Sequence, residues 1–241
     1  MARAADDFGP AKQHSGWLIP LVVFFVTACL SALVFAFYFA PGRAALGQEP
    51  AYPTDAIRRI AVDVGATHLR IPANYIPLAS ARNGGPMQEV PLAAVLPNLD
   101  GYSLGIADEF DGNAPESRIV FLSLKSNRPL LPEKERLDRI YLNQVEDRYG
   151  EAGPDELRHY TFRADSGYHN DELFFGQAES GPMTLICNKP SPSVPSPNCL
   201  RDLLLKNGLS LSYRFKRVHL SQWREIDKRV RALIESFVQD S

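Results

Sequence analysis

The sequence lacks an overall positive charge and any internal repeat. Its 26 Lys and Arg residues are outnumbered by 28 Asp and Glu residues, and its isoelectric point is near 6.2. A chain with this balance has no basic field to attract nucleic acid, so nucleic acid is not expected as a partner. The length of 241 residues suits one medium-sized domain and a short additional segment.

Metal-binding patterns are also lacking. No spacing of histidines and acids matches a zinc motif such as H-E-x-x-H. The acidic stretch at residues 108–112 resembles a calcium loop, but an EF-hand alignment would place Ala107 and Arg118 at ligand positions. The polar residues around His159 and His169 are interpreted as a solvated loop. We therefore expect no metal and no cofactor.

Charged residues are absent from residues 17–40, a run of 24 mostly apolar residues. At about 1.5 Å per residue, such a helix is long enough to cross a hydrocarbon core of roughly 30 Å. Trp17 and Tyr38 lie near its two ends, where interfacial aromatic residues are common. The run therefore predicts a single transmembrane helix.

Other interpretations of this run stay open. A cleaved signal peptide has an apolar stretch of about 7 to 15 residues, which is shorter than this one. Residues 26–29 resemble a bacterial lipobox, which would make Cys29 a lipidation site, but mostly apolar residues continue after it. Ala28, Ala32 and Ala36 form a ridge of small residues through which two such helices can associate.

The flanking charges predict the orientation of this helix. Arg3 and Lys12 precede it, whereas Arg43 is the one basic residue in the first dozen residues after it. The side richer in Lys and Arg stays in the cytoplasm, so we expect a single-pass protein of the bacterial inner membrane with its N-terminus inside. The predicted division is a cytoplasmic tail at 1–16, a transmembrane helix at 17–40, a linker at 41–56 and a periplasmic domain at 57–241.

Cys187 and Cys199 enclose a proline-rich stretch, CNKPSPSVPSPNC, that is incompatible with a helix. No histidine lies between residues 170 and 218, and the two cysteines are farther apart than in a CxxC metal site. The pattern therefore predicts a disulfide-closed loop. A disulfide favours an oxidising compartment outside the cytoplasm.

Strand and turn signals predict an α+β fold. Nineteen prolines and sixteen glycines recur along the chain, which favours a loop-rich, strand-containing domain over a helical bundle. Residues 72–101 are predicted as loop with short extended pieces, because five prolines interrupt them. A short helix is predicted from Pro132 to about Val145. The predicted strands are residues 57–64, 67–72, 118–124, 156–163, 172–177, 183–188, 200–206 and 209–217.

The C-terminal third is predicted to be an antiparallel β-meander packed by a C-terminal amphipathic helix. Asn207 and Gly208 form a strong hairpin signal, after which apolar and polar residues alternate. The predicted buried positions of this strand are Leu209, Leu211, Tyr213 and Phe215. The helix is predicted over residues 221–238 with Ser221 as its cap. Its apolar stripe consists of Trp223, Ile226, Val230, Leu233, Ile234 and Phe237.

The motif Gly101-Tyr102-Ser103-Leu104-Gly105 matches the G-x-S-x-G nucleophile elbow of serine hydrolases. That elbow needs a buried strand before the serine and a helix after it. Pro97 opposes a central strand, and Gly112 and Pro115 leave little room for a helix. A membrane-anchored serine hydrolase that uses Ser103 is therefore the alternative function.

Positive charges cluster between residues 214 and 231. Seven Lys and Arg residues accompany two acidic ones there, a surplus of five. The structural interpretation is that these charges form the solvated face of an amphipathic helix. The functional interpretation is that they form a docking patch for anionic headgroups or an acidic partner. The predicted docking residues are Arg214, Lys216, Arg217, Arg224, Lys228 and Arg231.

These patterns favour a non-enzymatic, membrane-anchored accessory or protein-interaction module that faces the periplasm. No residue is assigned a catalytic role. The expected partners are the lipid bilayer, an envelope protein, or a second copy that associates through the helix at residues 17–40.

Overall fold

The computed structural model describes residues 16–39, 49–126 and 128–239. Helix α1 (Leu18–Phe39) is 22 residues long, and the chain divides between Glu49 and Pro50 into two units. Among the described residues, no helix combines the length and the apolar character needed to cross a membrane. The transmembrane span expected at residues 17–40 is not supported by this finding and stays a prediction.

The residues that predicted the orientation of the N-terminal segment, Arg3, Lys12 and Arg43, lie outside the described residues. Cys29 lies within α1 as an exposed free thiol. The predicted orientation therefore also stays a prediction.

The described part of the second unit, residues 50–241, contains eleven strands and three α-helices. The strands are β1 (Arg59–Val64), β2 (Thr67–Pro72), β3 (Gly85–Met87), β4 (Glu89–Val95), β5 (Ile119–Lys125), β6 (Glu151–Ala152), β7 (Arg158–Thr161), β8 (Asp171–Ala178), β9 (Gly181–Asn188), β10 (Asn198–Leu204) and β11 (Ser210–Lys216). The helices are α2 (Ala107–Asp111), α3 (Glu133–Arg136) and α4 (Trp223–Glu235). A small sheet has the order β2-β1-β3, and a large antiparallel sheet has the order β4-β5-β11-β10-β9-β8-β7-β6. The predicted α+β class is confirmed.

The two strands predicted at residues 57–64 and 67–72 are confirmed and form a hairpin. Strands β1 and β2 pair antiparallel along their length, and Gly65 makes the turn with φ of +62°. Glycine adopts this left-handed conformation without a steric cost. The chain's C-terminal end covers the free edge of β2, where the Arg70 N–H donates to the Phe237 carbonyl over 2.8 Å.

Strand β11 lies in the interior of the large sheet, between β5 and β10. Its predicted buried face is confirmed for Leu211, Tyr213, Phe215 and the preceding Leu209. The predicted solvated face is wrong at Ser210 and Lys216, which are also buried. The Lys216 ammonium donates a hydrogen bond to the Asn113 side chain, which satisfies it in its buried position. The Ser210 hydroxyl donates to the Lys125 carbonyl over 3.3 Å.

The ladder between β9 and β10 is short. Within the described chain these strands pair at two positions, Cys187 with Cys199 and Ile186 with Leu200. The two cysteines form a disulfide with their Cα atoms 4.0 Å apart, which confirms the predicted bond. In the chain-entropy account, closing a loop of this size stabilises a fold by about 3 kcal/mol.

Side chains of α3 bridge β9 and β10 beyond this ladder. The carboxylate of Glu133 accepts a hydrogen bond from the Thr184 N–H of β9 over 3.0 Å. The guanidinium of Arg136 donates to the Asp202 carbonyl of β10. These bonds satisfy backbone groups that the diverging strands leave without a ladder partner. We call this side-chain-bridged gap between β9 and β10 the seam.

The helix predicted from Pro132 to Val145 is shorter than expected. The α-helical part ends at Arg136, and a wider π-type turn follows over Leu137–Tyr141. Three residues of the predicted range nevertheless lie in a small second core over β7 and β8. That core consists of Leu137, Tyr141, Val145, Tyr160, Phe162 and Leu173.

Helix α4 packs on the large sheet, as predicted, and covers the face opposite the small second core. The indole of Trp223 is 1% exposed and lies on β8 at Gly176, where a Cβ atom would come within 3.2 Å of the ring. Glycine at this position therefore makes room for the indole. The other α4 residues in the main core are Ile226, Val230 and Ile234.

The predicted cap of this helix is wrong. Residues Arg217–Gln222 form a 3₁₀ turn, α4 begins at Trp223, and Ser221 makes no capping hydrogen bond. The wide prediction of loop for residues 72–101 is also wrong in part, because β4 is a seven-residue strand. Pro91 is compatible with it because β4 is an edge strand, where a missing N–H donor is tolerated.

Candidate interaction surface

The six cations of the predicted docking patch do not lie together. Lys216 is buried under the loop that contains Asn113, and Arg217 pairs with Glu172 of β8. Arg214 points outward from the large sheet on the face away from α4. The remaining three, Arg224, Lys228 and Arg231, line one groove.

That groove lies between α4 and the turn joining β8 to β9, with a volume of about 1010 Å³. It is lined by equal numbers of acidic and basic side chains: Glu179, Glu225, Asp227, Glu235, Lys206, Arg224, Lys228 and Arg231. Arg224 pairs with Asp155 over 2.8 Å, and Arg231 lies 3.4 Å from Asp227. The groove therefore has no positive surplus, and the predicted basic patch stays a prediction.

A buried charge network lies beneath α4. The Arg201 side chain is fully buried and donates two hydrogen bonds to Glu133, of 2.7 and 3.1 Å, and one to Asp227. The Tyr213 hydroxyl donates to the same Asp227 carboxylate over 3.1 Å. Burial by itself lowers the pKa of Arg201, but Tyr213, Glu133 and Asp227 together raise that pKa above its ordinary value. Burial also raises the pKa of Tyr213, so its hydroxyl stays protonated and can donate.

The structure does not assemble a nucleophile at Ser103. Its backbone is extended, with φ of −145° and ψ of 159°, whereas a nucleophile elbow holds its serine on a strained turn. Ser103 is exposed, and the side-chain partners of the histidines in the described chain lie elsewhere. The described histidines are four: His68 contacts Asp63, and His159 contacts Glu172. His169 contacts the Ser166 carbonyl, and His219 contacts the Ser117 carbonyl. Across the described residues, no group of acidic, histidine and cysteine side chains is placed to hold a metal ion.

Three side chains form a ridge on the face of the large sheet that points away from α4. Arg214 of β11 lies directly opposite Phe121 of β5 on one side and Leu200 of β10 on the other. Directly paired residues on one sheet face have Cβ atoms about 4.5 to 5.5 Å apart, so the three side chains are neighbours. We call Phe121, Arg214 and Leu200 the outer ridge.

The outer ridge is open to solvent. Phe121 is 38% exposed and Leu200 40% exposed, and the Arg214 guanidinium lies 4.7 Å from the centre of the Phe121 ring. The same cross-strand row continues beyond Leu200 to Ile186 and Leu173, which belong to the small second core and its margin. Beyond Phe121 the row reaches Ala93 of β4, which is also buried, so the exposed part of this row is the three residues of the outer ridge.

Sequence reasoning found Arg214 but not the outer ridge. The alternation in β11 predicted that Arg214 points away from the core, and this is confirmed. Phe121 is about ninety positions away along the chain, and its position beside Arg214 depends on the β5–β11 register. The sequence carries no signal for that long-range pairing.

Comparison of the sequence with protein-family models and with curated proteins gives no match. A solved structure that resembles the chain in fold is an immunity protein of the Stenotrophomonas maltophilia type IV secretion system. The TM-score is 0.54 with 15% sequence identity, and the match covers 80% of this chain and 100% of that chain. At this identity the likeness concerns the fold alone.

Proposed function

We propose that the domain of residues 50–241 is an immunity-type binding module, which protects its cell by binding a secreted toxic protein. The observation that carries this proposal is the fold likeness along the full length of an immunity protein. Binding requires a stable surface and no catalytic group. The exposed, extended Ser103 and the scattered histidines therefore agree with a non-enzymatic role.

The disulfide supports an extracytoplasmic location for this module. Cys187 and Cys199 are bonded between neighbouring strands, and such bonds persist in oxidising compartments such as the periplasm. A toxin delivered from another cell can be intercepted there.

We further propose that residues 17–40 anchor the module in the bacterial inner membrane, with the N-terminus in the cytoplasm. The support is the run of 24 uncharged residues together with the disulfide of the domain that follows. Alkaline carbonate extraction of host membranes should leave the full chain in the pellet, because a spanning helix resists extraction. Recovery in the supernatant would contradict the anchor, and a mature N-terminus at Cys29 would favour lipidation instead.

The immunity role predicts a competitive defect in cells that lack this chain. A deletion strain of the host bacterium should lose viability when mixed with the parent strain, and the full chain supplied in trans should restore survival. A parent strain without its type IV secretion system is the matched control, and it should not reduce survival. Equal survival of deletion and wild-type cells beside a secretion-competent parent would overturn the proposal.

A further inference from the structure

We propose that the outer ridge of Phe121, Arg214 and Leu200 docks a protein partner that presents a carboxylate flanked by apolar side chains. This inference rests on the proposed function and adds the location and chemistry of the binding surface. The ridge places a cation between two apolar side chains, and these three are the exposed residues of their cross-strand row.

The chemistry of the partner follows from the charges on this face. Arg214 makes no ion pair with any residue that the structure describes, and its guanidinium stacks on the Phe121 ring. Two basic residues beside the ridge are already neutralised, because Lys125 pairs with Glu89 over 2.9 Å and Arg128 pairs with Asp202 over 3.0 Å. The ammonium of a third, Lys216, is buried against the neutral Asn113 side chain. The uncompensated charge of the ridge is therefore one guanidinium, whose planar fork matches one carboxylate.

The arrangement has the anatomy of a binding site for protein. Interfaces have an apolar centre with aromatic residues and arginine, surrounded by a polar rim. Here the ridge is the centre, and the pairs Lys125–Glu89 and Arg128–Asp202 form the rim. The backbone beneath is three strands joined by the β5–β11 and β11–β10 ladders, so little ordering is needed on binding.

Two other occupants fit the ridge less well. Anionic membranes attract clusters of about 4 to 8 basic residues, whereas Arg214 is the exposed cation at this ridge that lacks an ion-pair partner among the described residues. A second copy docked through the ridge about a two-fold axis would bring two Arg214 guanidinium groups together, which is repulsive. A partner protein of opposite charge avoids both problems.

The competition assay described above tests this surface with the full chain. Arg214→Glu should reduce protection by about tenfold, the effect typical of a residue at the centre of an interface. Arg214→Lys should retain part of the protection, because it keeps the charge but loses the planar fork that matches a carboxylate. Arg59→Glu is the matched control: Arg59 is an exposed arginine on β1 of the small sheet, and its reversal should leave protection unchanged.

The outcomes separate the two proposals. If the wild-type chain protects and Arg214→Glu protects equally at equal abundance, the ridge is excluded while the immunity role stands. If Lys228→Glu abolishes protection and Arg214→Glu does not, the docking surface is the groove beside α4 and the ridge is again excluded. Absence of protection by the wild-type chain overturns both proposals.

The second-copy alternative has its own measurement. Phe121→Cys in a Cys29→Ala background should give no disulfide-linked dimer when membranes containing the full chain are oxidised. A strong dimer band would overturn the choice of partner, because it would place two ridges face to face. Thermal melting of each variant shows whether lost protection reflects lost folding.

Discussion

Replacing Trp223 by alanine is expected to lower the free energy of unfolding by about 3 to 5 kcal/mol. The indole is fully buried between α4 and β8, and the strand has a glycine beneath it that cannot fill the cavity. The indole N–H also donates to the Asp155 carbonyl over 3.1 Å, so the substitution removes one of its two donors and leaves that of Arg224. Chemical denaturation of the purified protein measures the difference.

Ser103→Ala is the control for this prediction. The Ser103 side chain is exposed, so its removal should change the unfolding free energy by no more than about 0.5 kcal/mol. A loss below about 1 kcal/mol in Trp223→Ala would show that α4 is not needed to close the main core. A folded Ser103→Ala chain that no longer protects its cell would contradict the non-enzymatic role.

Replacing Arg201 by methionine is expected to cost about 3 to 5 kcal/mol, the range for breaking one side of a buried ion pair. The Asp227 and Glu133 carboxylates would then lie beside an apolar side chain, with 4% and 11% of their side chains exposed. The same denaturation experiment measures the loss.

A triple variant tests whether the attraction between the buried charges outweighs the cost of their desolvation. Arg201→Met combined with Asp227→Leu and Glu133→Gln removes the three charges together. The Glu133→Gln change keeps an amide oxygen that can still accept the hydrogen bond from the Thr184 N–H. This variant should be more stable than Arg201→Met alone, because no carboxylate of the network is left unpaired. If the triple variant were the less stable of the two, the attraction between the charges would outweigh their desolvation.

Local patterns predicted the C-terminal third of the fold well. The strands β8 to β11 and the helix that covers them were predictable because each contains several apolar residues and is bounded by turns. Strand β4 was missed because Pro91 and the prolines around it outweighed its apolar residues, and edge position, which makes proline tolerable, is a property of the whole sheet.

The candidate site was less predictable, for a related reason. The sequence showed a surplus of positive charge near the C-terminus, but not which acids would neutralise it. Arg217 and Arg224 are paired by Glu172 and Asp155, which lie more than forty positions earlier in the chain. Arg201 is buried although arginine is seldom buried, because its two carboxylate partners come from α3 and α4.

The seam has a consequence for how the domain opens. A continuous ladder separates only if many hydrogen bonds break together, but β9 and β10 are joined by two ladder pairs, one disulfide and the side chains of one short helix. Undocking of α3 alone would admit water to the Thr184 amide while the outer strands remained paired. Amide hydrogen exchange at β9 then reports a local opening of a few residues rather than global unfolding. The disulfide between Cys187 and Cys199 keeps such an opening from spreading, so the two halves of the sheet can separate locally while they stay covalently joined.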